Sequence, residues 1–180
     1  MVIVKLLVNV DVYRGMTLKA GEEYVMAGGV MQQLQKMYPG SLHQTRNFED
    51  EYRHIQLNNL KSTDKICMFR SGGIGDIMFM LPLMKHLKEK YGVSISVGTS
   101  PMYTDILENN PHVDEVFQMP FNVSYIENSD YHIKFEGIIE DASEKSQILH
   151  AVDLFLEHSG VDFTTVSSDD KCPKLFLGDS

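Results

Sequence analysis

Hydrophobic and polar positions change rhythm once along this chain, near residue 60. Residues 2–12 alternate and are rich in β-branched side chains, the pattern of a strand with one buried face. Arg14-Gly15 and Ala20-Gly21 are turn signals on either side of Thr17 and Leu18. Val30, Leu34 and Met37 then recur at helical spacing until Pro39-Gly40 stops them. Residues 1–43 therefore read as a small β-rich module with one short helix. Residues 44–60 are polar with little periodicity and read as a connector.

From Lys65 onward, strands and helices alternate. Residues 66–70 form a compact apolar run, and residues 76–91 place Ile77, Met80, Leu81, Met84 and Leu87 on one helical face. Pro82 falls in the early turns of that helix, where proline does least damage, and Gly92 ends it. Further strands are predicted at residues 93–97, 113–117 and 131–135, and a last one over residues 175–177. A short helix is predicted over residues 103–108, and a long one over residues 146–159 with Ile148, Val152, Phe155 and Leu156 on one face. Apolar strands alternating with helices predict an α/β fold, a Rossmann-like parallel sheet with helices on both faces, spanning residues 61–180. In such a sheet, ligands gather at the carboxyl ends of the strands.

Composition narrows the function classes. The 180 residues are 43% hydrophobic and 23% charged, enough for a real core. The net charge of −9 argues against nucleic acid or an anionic membrane surface as partner. Cys67 and Cys172 read as reduced thiols, and two isolated cysteines draw no zinc site. Residues 1–10 are apolar but short and broken by Lys5 and Asn9, unlike a signal peptide or a membrane span. No other run approaches membrane-crossing length, so the expectation is a cytoplasmic protein without a transmembrane segment.

The chemistry concentrates in Ser71-Gly72-Gly73-Ile74-Gly75-Asp76, between a strand and a helix. Glycines let the backbone turn tightly and approach a ligand, and the helix start offers unpaired N–H groups to an anion or a sugar hydroxyl. A phosphate-binding P-loop would need Gly-Lys-Ser/Thr where the chain has Gly75-Asp76-Ile77. A dinucleotide fold would need a glycine where Met78 stands and an acid after the second strand, where Val97-Gly98-Thr99-Ser100 supplies none. Asp76 has two readings of equal standing. A first-turn carboxylate stabilises a helix by roughly 0.3–1 kcal/mol; the same group at the floor of a cleft serves as a base or orients a hydroxyl. Arg70 ends the first strand and would meet either a phosphate or a surface carboxylate. Glu136 ends the fourth and is placed to hydrogen-bond a sugar. Ser100 reads as a helix cap before Pro101, His150 as packing or surface, Met78, Met80 and Met84 as core filler, and the acidic residues 136–144 as a solvated loop or, with the same pattern, a mobile flap over the cleft.

Residues 66–91, ICMFRSGGIGDIMFMLPLMKHLKEKY, resemble the amino-terminal strand–loop–helix of the ADP-heptose:lipopolysaccharide heptosyltransferase family. The similarity continues through NPHVDEVF at residues 110–117, YHIKFEG at 131–137 and HAVDL at 150–154. The resemblance implies the amino-terminal lobe of a two-lobed GT-B glycosyltransferase, which receives a sugar or glycolipid acceptor while a second lobe grips the nucleotide-sugar donor. It further implies Asp76 as the catalytic base of an inverting transfer, with Ser71, Gly72, Gly73 and Gly75 as the loop beside it. No cofactor is implied, and the chemistry would be metal-independent. Two departures stand out. The donor lobe would follow at about Leu177, whereas this chain ends at Ser180; residues 1–60 lie outside the family's pattern. An isolated chain is thus expected to be inactive without a donor lobe. The alternative is a non-catalytic binding or assembly module, an adaptor or particle-associated protein that keeps the lobe's fold and meets a protein partner through residues 1–60.

Overall fold

A computed structural model describes residues 1–12, 15–141 and 149–176. At its centre lies a parallel four-stranded sheet in the order β10-β6-β7-β8, built from β6 (Lys65–Arg70), β7 (Ser94–Thr99), β8 (Glu115–Gln118) and β10 (Tyr131–Lys134). The register is uninterrupted between β6 and β7, from Lys65 opposite Ser94 to Arg70 opposite Thr99. The fold is α/β, with the parallel sheet predicted from the alternating pattern.

Side chains along β6 alternate between two cores, as the period of two requires. Ile66 and Met68 face α3 (Ile74–Tyr91) and α6 (Ala151–His158), which cover one side with Met80, Met84, Leu87 and Phe155. Cys67 and Phe69 face the opposite side. That side is covered by a second sheet with two short helices beside it; the sheet is antiparallel and ordered β5-β1-β4-β9, from β1 (Val2–Leu6), β4 (Glu23–Met26), β5 (Leu42–Arg46) and β9 (Phe121–Asn122). Ile3, Val25 and Phe121 pack there against Phe69 and Phe117, joined by Phe48 of α2 (Phe48–Glu51) and Ile126 of α4 (Ser124–Glu127). The outer face of the antiparallel sheet carries Val4, Leu6 and Met26. It closes on Leu34 of α1 (Gly28–Met37) and on Val10 and Leu18 of a hairpin, β2 (Val10–Asp11) with β3 (Thr17–Leu18).

Residues 1–60 are therefore stitched into the lobe. β4 pairs with β9, which follows the third parallel strand. Arg46 on β5 reaches Glu23 at 2.7 Å, Glu51 at 2.9 Å and Glu127 at 2.8 Å, joining both sides of the shared core. β5 runs across residue 43 into the stretch that reads as a connector, and α2 follows within it.

Several predicted elements change shape. Residues 2–12 split into β1 and β2 at residues 7–9. α3 begins at Ile74 because Gly73 takes the capping position, so Pro82 is the ninth helical residue and lies mid-helix, where it has no N–H to offer the preceding turn. Gly92 adopts φ 69° and donates its N–H to the Lys88 carbonyl at 2.9 Å, a left-handed cap that glycine adopts without strain. The helix over residues 103–108 is a single 3-10 turn, Thr104–Ile106. The third strand starts at Glu115. The long helix is seen from Ala151, with His150 Nδ1 accepting the Val152 N–H at 3.2 Å; residues 146–148 lie outside the described residues. Leu175 and Phe176 form no strand, and Leu177 lies outside the described residues.

Candidate functional site

The carboxyl ends of β6 and β10 bring four charged side chains together. Arg70 is 4% exposed although it ends β6. Its Nη2 meets Asp76 Oδ2 at 2.8 Å and Glu140 Oε1 at 3.0 Å. Its Nη1 donates to the Phe135 carbonyl at 2.7 Å, and its Nε to Asp76 Oδ2 at 3.3 Å. Burial pulls the Arg70 guanidinium down, but hydrogen bonds to Asp76 and Glu140 outweigh it and hold the group above its ordinary value. Glu140, on α5 (Ile138–Asp141), is lowered chiefly by its hydrogen bond from Arg70.

Asp76 sits in the first turn of α3, its side chain about one-fifth exposed. Oδ2 also accepts the Gly73 N–H at 3.2 Å, so Arg70 and the loop anchor the same oxygen. Among the described residues no hydrogen bond engages Oδ1. Gly72 is required here by close approach: a Cβ would strike Asp76 Oδ2 and lie 2.5 Å from Arg70 Nε. The amides of Gly72, Ile74 and Gly75 carry no hydrogen bond among the described residues, whereas those of Ser71 and Gly73 are taken. Part of the donor array expected at this helix start is thus satisfied from within.

Glu136 faces inward. Its Oε1 accepts the Ser71 N–H at 2.8 Å, while Oε2 is enclosed without a partner among the described residues. Burial pushes its carboxyl up, against the lowering effect of the Ser71 amide. A cluster of one guanidinium with Asp76, Glu136 and Glu140 is no attractive harbour for a phosphate, because the cation is already neutralised. It suits an uncharged, hydroxyl-bearing ligand or a donor group.

Beside this cluster a cavity of about 560 Å³ opens between α1 and the strand ends. Ser71 lines it, with Ser100 and Pro101 after β7 and Met119 and Pro120 after β8. Asp76 is not among its wall residues. Of the predicted site residues, Arg70, Ser71, Gly72, Gly73, Gly75, Asp76 and Glu136 come together around one turn, and Ser71 alone connects that turn to the cavity. Sequence reasoning missed Glu140 as a partner of Arg70, since it reads there as part of a solvated acidic stretch; residues 142–144 of that stretch lie outside the described residues. It also missed the contribution of α1 and Asp11, which no local pattern links to the glycine turn. Among the described residues, no three His, Cys, Asp or Glu side chains converge as a metal site would need, and no helix is long and apolar enough to cross a membrane.

No family profile and no curated protein matches the chain. Among solved structures it is similar to a glycosyl transferase of family 9 from Veillonella parvula DSM 2008, with 19% identity and a TM-score of 0.32 over 53% of this chain and 25% of that one. It is also similar to ADP-heptose LPS heptosyltransferase II of E. coli, with 17% identity and a TM-score of 0.35 over 54% of this chain and 29% of that one. The chain thus spans less than a third of either of these proteins.

Proposed function

We propose that this chain is the acceptor-binding lobe of an inverting, heptosyltransferase-like glycosyltransferase. In this reading a nucleotide-diphosphate sugar is held by another lobe, and Asp76 takes the proton of the acceptor hydroxyl. The observation that carries it is the mounting of Asp76. Oδ2 is fixed by Arg70 and Gly73, and among the described residues Oδ1 has no partner, on a carboxylate that still meets solvent. A base of this kind needs one immobile oxygen and one open oxygen aimed where the hydroxyl will lie. The uncommitted amides of Gly72, Ile74 and Gly75 stand ready to orient further hydroxyls. Transfer is measured by release of nucleoside diphosphate from a panel of nucleotide-sugars in the presence of sugar acceptors and, where required, a donor lobe. Asp76→Asn keeps the size and the contacts of Oδ2. Its expected effect is a loss of about 100-fold or more in rate with acceptor binding retained. Unchanged transfer in the variant ends this assignment of the base.

A second reading has one observation in its favour: the cavity is walled without Asp76. Under it, the chain binds its ligand and catalyses nothing, serving as an adaptor or particle-associated module. Saturable ligand binding that survives Asp76→Asn, with no transfer under any donor, selects this reading.

A further inference from the structure

More than half of the residues lining the 560 Å³ cavity come from residues 11–37, which lie outside the heptosyltransferase resemblance. Val30, Leu34 and Met37 form an i, i+4, i+7 stripe on α1 that turns toward the void. Across it stand Met102, Met119 and Pro120 from the edge of the parallel sheet. Met37 and Met102, at 58% and 48% exposure, carry the apolar wall out to the protein surface. The volume falls in the range of small-molecule sites, roughly 300–1,000 Å³, and methionine-rich walls adapt to a flexible hydrocarbon. Polar atoms sit at a few points only: Asp11, Gln33, Ser71 and Ser100. Asp11 Oδ1 accepts the Thr17 hydroxyl at 2.6 Å. Among the described residues no Lys, Arg or His lines the cavity. Among the described wall residues an anionic head group would find Asp11 and no cation, on a protein of net charge −9.

We infer that this cavity binds a small amphiphile with a hydrocarbon body and an uncharged or cationic hydrogen-bonding end. The body lies along the α1 stripe, and the polar end reaches Asp11, Ser71 or Ser100. The inference deepens the proposed function and rests on it only for the bound molecule's role as acceptor, since Ser71 belongs to both the cavity and the glycine turn.

The test uses the whole chain and three ten-carbon probes kept below their micelle concentrations: decyl glucoside, decyltrimethylammonium and decanoate. Displacement of the neutral dye Nile red reads binding to each. Decyl glucoside and decyltrimethylammonium are expected to compete saturably, and decanoate about tenfold more weakly or worse. Val30→Trp fills the void and abolishes displacement. Met37→Lys, on an exposed position that cannot threaten the fold, places a cation among the wall residues and shifts preference toward decanoate. Asp11→Asn removes any advantage of the cation over the glucoside. Equal binding of all three probes, or an order of preference unmoved by Met37→Lys, overturns the inference. Selective binding without sugar transfer leaves the cavity assignment standing and removes the transferase reading. Transfer to short sugars without probe binding does the reverse.

Discussion

Arg70 shows how much one side chain can organise. Its guanidinium is almost wholly buried, yet Asp76, Glu140 and the Phe135 carbonyl engage it at Nε, Nη1 and Nη2. Removing it leaves an enclosed carbonyl and two carboxylates without a cation. One-sided loss of a buried pair costs about 3–5 kcal/mol, and water reaching Asp76 and Glu140 moves the expectation toward the lower end. Urea unfolding of Arg70→Met should therefore show a loss of about 3 kcal/mol; a change too small to measure means the cluster is decorative. Glu136 works in the opposite sense. Its folded-state carboxyl is raised above the ordinary 4.5, chiefly by burial, so the folded form prefers the proton. The stability linked to this group is fully present below pH 4.5 and is lost as pH rises through the folded value. Glu136→Gln keeps an acceptor for the Ser71 N–H and carries no charge. It should raise the unfolding midpoint at pH 8 and add nothing at pH 4. An equal loss at both pH values shows instead that the fold holds this group as an anion.

Strands and helices were legible wherever a single period ran long enough. β6, α3 and β7 follow from an apolar run, a 3.6-residue stripe and a second apolar run, and Gly92 marks the stop correctly. Elements fixed by distant partners were not. β9 is two residues long, yet it carries the pairing that ties the antiparallel sheet to the lobe, and no two-residue segment has a readable period. The glycine turn could be found from Ser71–Asp76 alone, while the inward course of Glu136 and the pull of Arg70 on Glu140 depend on how β10 meets β6. The stretch before β6 offers a further case, since it lacks periodicity and is nevertheless docked. His132 on β10 is fully buried; its Nδ1 accepts the Arg53 N–H at 2.8 Å, and its Nε2 donates to the Ile126 carbonyl at 3.0 Å. Tyr52 lies against the ring, and its hydroxyl accepts the Lys134 N–H at 3.1 Å. Burial, with Arg53 nearby, holds the imidazole below its usual 6.5 despite the Ile126 bond. The neutral ring is thus built into the fold, and its contribution is present above pH 6.5 and lost as pH falls through the folded value. Hydrogen exchange at the Arg53 amide should accelerate relative to the core of β7 on going from pH 7 to pH 5, after correction for intrinsic rates. His132→Phe should lose that pH dependence while being less stable throughout. Exchange that tracks the core at both pH values means the latch is not a separate element.

At the scale of the molecule, the decisive feature is that one face of the parallel sheet is covered in part by residues from before it. A doubly wound lobe covers both faces with crossover helices. Here the connection from β7 to β8 holds only the 3-10 turn at Thr104–Ile106, and that from β8 to β10 only the four-residue α4 and the short β9. These leave Cys67, Phe69 and Phe117 only partly shielded, and Ile3, Val25 and Phe48 complete the cover beside Phe121 and Ile126. Burying side chains of this size stabilises by about 1.5–3 kcal/mol each. Exposing four or five of them would cost on the order of 10 kcal/mol, comparable with the whole stability of a domain. Residues 61–180 expressed alone should therefore be insoluble or molten, with strong binding of hydrophobic dyes and no cooperative unfolding. Residues 1–60 added as a second chain should restore both. Cys67 supplies an internal gauge, because burial pushes its thiol up to about 12 in the intact protein, while Cys172 is exposed. A thiol reagent at pH 8 should modify Cys172 rapidly in either chain, but Cys67 only when residues 1–60 are gone. A fragment that unfolds cooperatively and still protects Cys67 would show that the antiparallel sheet is an appendage, and the cavity beneath α1 would then lose its fixed wall.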